Sequence, residues 1–109
     1  MKYKILTICA GANVRSVGLK YLLKYKYGHE ALACGQDSNT QETRDLLSEW
    51  ADYIIVVTQD YLPFISERFK DKTFCYEVGE DRFGYAFHPE LLQICDQLIQ
   101  NHGLFNKTE

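Results

Sequence analysis

The stretch Lys4-Ile5-Leu6-Thr7-Ile8-Cys9-Ala10-Gly11-Ala12-Asn13-Val14-Arg15-Ser16 decides the fold. Its first half is apolar and rich in Ile and Thr, the pattern of a short buried strand over residues 3–8. The strand runs into Cys9, small residues follow, and Arg15-Ser16 leads into Val17, Tyr21, Leu22 and Tyr25 at helical spacing. This spacing predicts a helix from Asn13 or Val14 to Tyr25, stopped at Gly28. A strand, a small-residue loop and a helix N-terminus together bind oxyanions, because the loop amides and first-turn N–H groups lack intramolecular partners. A cysteine at the mouth of such a nest has its thiolate stabilised by those donors, by the helix dipole and by a nearby cation. An arginine adds a planar fork that holds two oxygens of one phosphate.

Cys-x5-Arg alone is a weak signal, and its weight comes from the strand before it and the helix after it. The bland alternative is a small cysteine ending a core strand, with Arg15 merely solvated at a helix start. A cation in a first helical turn opposes the macrodipole, so a purely structural Arg15 is the poorer reading.

The segment from Cys9 to Ser16 resembles the phosphate loop of the low-molecular-weight protein tyrosine phosphatases. The likeness continues through Glu49-Trp50-Ala51-Asp52-Tyr53-Ile54-Ile55-Val56-Val57, similar to that family's third strand and its approach. Asp81-Arg82-Phe83, followed by His88-Pro89-Glu90-Leu91-Leu92, resembles its Asp-loop and last helix, and the match is closest to a short bacterial subgroup. The resemblance implies Cys9 as nucleophile, with Ala10, Gly11, Ala12, Asn13, Val14 and Arg15 cradling the phosphate. It also implies Ser16 as a donor to the thiolate and Asp81 as the general acid. Two departures stand out. Ala12 replaces the family's Asn, whose side chain helps hold the loop, and Val14 replaces a second cysteine that could protect an oxidised nucleophile.

The rest of the chain bounds the reading. Its 109 residues fit one domain, 1–109, and no Pro/Gly/Ser-rich or charge-run linker divides them. Net charge is −3 with both signs interspersed, so no nucleic-acid footprint is expected. No apolar run approaches the roughly 20 residues of a membrane span, and Met1-Lys2-Tyr3-Lys4 leads into a strand rather than a signal peptide, so the cytoplasm is the expected compartment. Cys9, Cys34, Cys75 and Cys95 are scattered, without the spacing of a zinc site or a disulfide framework. Cys34, Cys75 and Cys95 are expected as small buried hydrophobes. Neither metal nor cofactor is expected, since backbone dipoles and Arg15 can neutralise a phosphate.

Further elements follow from periodicity: a strand at 29–34, a helix at 41–50 capped by Thr40, and a strand at 53–57. The helix at 41–50 places Leu46, Leu47 and Trp50 on its apolar side and Glu42, Arg44, Asp45 and Glu49 elsewhere. The strand at 53–57 has no polar alternation and should be central in a parallel sheet. A helix is expected at 60–69 with Pro63 in its first turn, then a short edge strand at 73–76. The last helix starts at Pro89 and turns Leu91, Leu92, Cys95, Leu98 and Ile99 to the core, and the tail after His102 should fray. Lys20, Lys24 and Lys26 read as a solvated face of the first helix. The alternation predicts an α/β single-domain three-layer sandwich with a four-stranded parallel sheet, its ligand beyond the carboxyl ends of the strands.

The segment from Val78 to Phe87 leaves the fourth strand at that same end, with two glycines, two acids and three aromatics. By residue chemistry alone, a proton donor and a solvated cover over the sheet edge stand level here. The resemblance points to Asp81, with Glu80 as competitor, and His88 reads as a helix-start residue. The function expected is a phosphomonoesterase acting on phosphotyrosine or a related aryl phosphate, on a protein or a small molecule, through a phosphocysteine. Rival readings are a cysteine-phosphorylated carrier of a sugar phosphotransferase system, an arsenate reductase, and a catalytically dead phosphate-binding module. A carrier should keep its phosphocysteine, against which Arg15 argues; a reductase needs two more thiols near Cys9; Ala12 keeps the dead module open.

Overall fold

The computed structural model describes residues 2–11 and 14–106. Four strands, β1 (Lys4–Cys9), β2 (Glu30–Gly35), β3 (Tyr53–Val56) and β4 (Thr73–Cys75), form one parallel sheet in the order β2-β1-β3-β4. Ile5 to Ile8 pair with Tyr53 to Val56 on one side of β1, and Lys4 to Cys9 pair with Glu30 to Gly35 on the other. β1 and β3 are thus interior strands, as their unbroken apolar runs require. The three helices are α1 (Arg15–Tyr25), α2 (Gln41–Trp50) and α3 (Pro89–His102).

Alternation along β1 and β3 divides the core in two. Ile5, Ile55 and Val57 meet Leu19, Leu22 and Leu23 of α1 and Leu91, Cys95 and Ile99 of α3. Leu6, Ile8, Ile54 and Val56 face the other way, against Ala51, Ile65 and Phe69. The result is the expected three-layer arrangement, with the chain leaving β1 and β3 toward different faces at their carboxyl ends. Gly18 permits a close approach in it, because a Cβ there would lie 2.7 Å from the Ala86 carbonyl and 3.1 Å from Leu91 Cδ2.

Four expectations need correction. Residues 60–69 do not form an α-helix; two 3₁₀ helices, Gln59–Phe64 and Glu67–Lys72, replace it. Pro63 lies in the interior of that stretch, where it has no N–H to continue an α ladder, and Ser66 is extended between the two turns. In α2, Leu47 and Trp50 pack on the core as expected, but Leu46 is 67% exposed and Arg44 and Ser48 are buried. Cys75 is exposed on edge strand β4, while Cys34 and Cys95 are buried as expected. The tail does not fray at once: Phe105 is fully buried, and its carbonyl lies 2.9 Å from His29 Nε2. Its ring packs edge-on against Tyr3 and Tyr53 at the amino end of the sheet. Burying a phenylalanine is worth about 2–3 kcal/mol, enough to hold a short tail in place.

Candidate active site

Cys9 ends β1 with 2% of its surface exposed, and its Sγ lies 2.9 Å from Ser16 Oγ. Ser16 is in the first turn of α1, and its carbonyl accepts a 2.7 Å bond from the buried hydroxyl of Thr7 on β1. Strand and helix are therefore locked two residues before the sulfur and one residue after Arg15. Helix α1 starts without any side-chain cap and with no acid in its first turn. Its first intrahelical bond runs from Gly18 N to Val14 O at 2.9 Å, so the amides of Arg15, Ser16 and Val17 precede the ladder.

Arg15 is only 4% exposed. Its Nη1 donates to Gly79 O at 2.9 Å and its Nη2 to the Tyr61 hydroxyl at 3.0 Å. Its buried Nε–H has no partner among the described residues. Both partners are neutral, and no carboxylate among the described residues pairs with the guanidinium. Each terminal nitrogen commits one proton in these bonds, which leaves Nε–H and one proton on each terminal nitrogen uncommitted among the described residues. Arg44 of α2 is likewise buried, with an Nε that has no partner among the described residues, so what singles Arg15 out is Ser16, next in the chain and in contact with the Cys9 sulfur.

Gly79 has φ +97°, a conformation open to glycine, and this turn brings its carbonyl back onto Arg15. Val78 N donates to Val57 O at 2.9 Å, which fixes the start of the acidic segment at the carboxyl end of β3. Asp81 and Glu80 follow directly and both are exposed. Arg82 turns away from the site, pairing with Glu90 of α3 through bonds of 2.6 and 3.1 Å and stacking on Phe83. His88 caps α3, its Nδ1 accepting from Glu90 N at 3.1 Å, as its position before Pro89 predicts.

Cys9, Arg15 and Ser16 come together as the spacing suggests, and Ala10 and Gly11 continue from the sulfur. Ala12 and Asn13 lie outside the described residues, and Val14 is the residue before α1. Tyr61 is the member that sequence reasoning missed. Its only signal was an aromatic just beyond the carboxyl end of an interior strand neighbouring β1. The other thiols are held protonated: burial pushes Cys34 up to about 11, against an opposing pull from Arg44, and pushes Cys95 up to about 12. Burial, with Glu77 alongside, pushes Cys75 up to about 11. No three His, Cys, Asp or Glu side chains among the described residues are arranged to hold a metal ion. No helix among them is long and apolar enough to cross a membrane.

No protein-family model and no curated protein sequence matches the chain. Solved structures do. The YwlE arginine phosphatase from Geobacillus stearothermophilus is 22% identical at a TM-score of 0.63, over 98% of this chain and 99% of that one. Wzb from Vibrio vulnificus, bound to benzylphosphonate, is 15% identical at a TM-score of 0.70, over 91% and 95%. The tyrosine phosphatase Wzb from Escherichia coli K30, bound to phosphate, is 18% identical at a TM-score of 0.69, over 91% and 94%. The chain has the fold of the low-molecular-weight protein tyrosine phosphatases, built around a cysteine at the end of its first strand.

Proposed function

We propose that residues 1–109 form one phosphatase domain that hydrolyses phosphotyrosine or a related aryl phosphate through a phosphocysteine. The observation that carries this is the buried Arg15 guanidinium, its Nε without a partner among the described residues, one residue before Ser16, whose hydroxyl lies 2.9 Å from the Cys9 sulfur. The Cys9 thiolate attacks phosphorus in line; the S–P bond forms as the bond to the leaving oxygen breaks. Arg15 and the loop amides from Ala10 to Arg15 hold the equatorial oxygens as charge redistributes. Asp81 protonates the departing phenolate, then takes a proton from the water that displaces the sulfur and releases phosphate. The Ser16 hydroxyl donates to the sulfur whenever it carries charge, in the free enzyme and as it leaves. Backbone dipoles and one guanidinium supply the positive charge this scheme uses.

The substrate is a phosphorylated protein or a small aryl phosphate. The likeness to an arginine phosphatase makes phosphoarginine the second substrate to assay. The test is release of phosphate from an aryl phosphate by the full chain, with and without vanadate, which mimics the five-coordinate transition state. Turnover that vanadate abolishes and that Cys9→Ser removes supports the phosphatase. Turnover retained in Cys9→Ser overturns the nucleophile. A phosphocysteine that persists and passes to a carrier protein favours the phosphocarrier, and phosphate binding without turnover favours the dead module.

A further inference from the structure

Arg44 of α2 is a buried cation, 8% exposed, on a helix whose neighbouring Leu46 faces solvent. Its Nη1 donates to Gln36 O at 2.8 Å and to Asn39 O at 2.6 Å, and its Nη2 to the Gln41 side-chain oxygen at 2.8 Å. No carboxylate among the described residues pairs with it. Burying a guanidinium costs solvation and side-chain freedom, and what it gains here is the fixing of one loop, residues 36–39. The Asn39 side chain tightens that loop further by accepting from Gly35 N at 2.8 Å.

The same loop holds the segment that follows Cys9. Gln36 N donates to Cys9 O and Asp37 N to Ala10 O, both at 2.8 Å. The Ser38 hydroxyl reaches Gly11 O at 3.3 Å. Three successive carbonyls are thus drawn toward the loop after β2. Across a trans peptide the C=O of one residue and the N–H of the next point in opposite directions, and the chain has no cis bond among its described residues. Fixing the carbonyls of Cys9 and Ala10 therefore turns the N–H groups of Ala10 and Gly11 away from the loop.

We infer that Arg44 is a positioning residue for the phosphate loop, acting through residues 36–39 to aim its amides. It braces from α2 a loop in which the third residue after Cys9, Ala12, has no side chain able to hydrogen-bond. The catalytic consequence rests on the phosphatase reading; the brace itself does not.

Amide hydrogen exchange and turnover, measured on the full chain with Arg44→Ala and Arg44→Lys, test it. In Arg44→Ala the amides of Gln36 and Asp37 should lose protection while those of β3 keep theirs. Both kcat for an aryl phosphate and vanadate affinity should fall on the order of 10- to 10²-fold, the cost of a misplaced catalytic group. Methylguanidinium should restore part of both, which a merely destabilised variant would not show. Arg44→Lys should be intermediate, because an ammonium cannot span the loop carbonyls as the fork does. Unchanged protection at Gln36 and Asp37 overturns the inference, as does lost protection with kcat and vanadate affinity intact. If the wild-type chain neither turns over nor binds vanadate, the phosphatase reading fails and the exchange data alone decide the brace. If Arg44→Ala does not fold, Arg44→Lys carries both measurements.

Discussion

The Tyr61 hydroxyl accepts a 3.0 Å hydrogen bond from Arg15 Nη2, with its ring centroid 5.8 Å from the guanidinium carbon. Together with Gly79 O it engages both terminal nitrogens, while Nε–H has no partner among the described residues. Tyr61→Phe keeps the ring and removes that constraint. We expect kcat for an aryl phosphate to fall on the order of tenfold, since small misplacements of a catalytic group are costly. Stability should change by only about 1 kcal/mol, the net worth of one hydrogen bond. Steady-state kinetics beside a melting curve separate the two; a variant with lowered melting temperature and unchanged kcat would make Tyr61 structural only.

The four cysteines should separate by alkylation. Cys34 and Cys95 are held as thiols by burial, at about 11 and about 12, and Cys75, an exposed residue, is raised to about 11 by the partial desolvation of its sulfur and by Glu77 beside it. Thiols are poor nucleophiles toward iodoacetamide, whereas the proposed nucleophile, with the Ser16 hydroxyl 2.9 Å from its sulfur, has to be a good one to work. Peptide mapping after brief treatment at pH 7 should find Cys9 modified first, and phosphate should protect it. Modification of exposed Cys75 ahead of Cys9 would refute this ordering.

What the sequence disclosed follows from what each part of it depends on. The β1–loop–α1 unit was legible because strand, cysteine, arginine and helix lie within one local stretch, where spacing alone fixes geometry. β3 was legible because an unbroken Tyr-Ile-Ile-Val run has no solvated face to alternate with. Tyr61 and Phe105 were not legible, because each is placed by partners far along the chain. Tyr61 meets a residue 46 positions away, and His29 meets Phe105 76 positions away. Arg44 reads as a solvated charge on a helical wheel, and only the neighbouring loop carbonyls make its burial favourable.

Asp96 ties α3 to the end of α1, accepting from Lys26 Nζ at 2.7 Å and from the Tyr27 hydroxyl. Burial alone would push its carboxyl up, but these bonds, with Gln100, hold it below the ordinary carboxylate value. A depressed folded-state value contributes stability above the unfolded value, about 3.9, and loses it as pH falls through the folded one. Asp96→Asn should therefore melt below wild type at pH 7, and the gap should close as pH drops from about 5 to 2. Melting curves across that range check it; a gap that stays constant would mean the carboxylate charge contributes nothing.

Asp81→Asn should slow hydrolysis of esters with basic leaving groups far more than of those with acidic ones. A weakly basic phenolate can depart unprotonated, whereas a tyrosine-like one needs a proton, so removing the acid steepens the leaving-group dependence. The expected loss with a tyrosine-like ester is on the order of 10² to 10⁴, the usual contribution of positioned acid catalysis. Glu80→Gln is the matched control, because both acids are exposed and follow Gly79, whose carbonyl is fixed on Arg15. The Arg82–Glu90 pair on the far side limits how far the segment can swing, which favours a fixed direction for one acid over a shared role. Rates across a series of substituted phenyl phosphates decide the matter. A leaving-group effect confined to Glu80→Gln would move the acid by one residue, and none in either variant would make the segment a cover over the sheet edge.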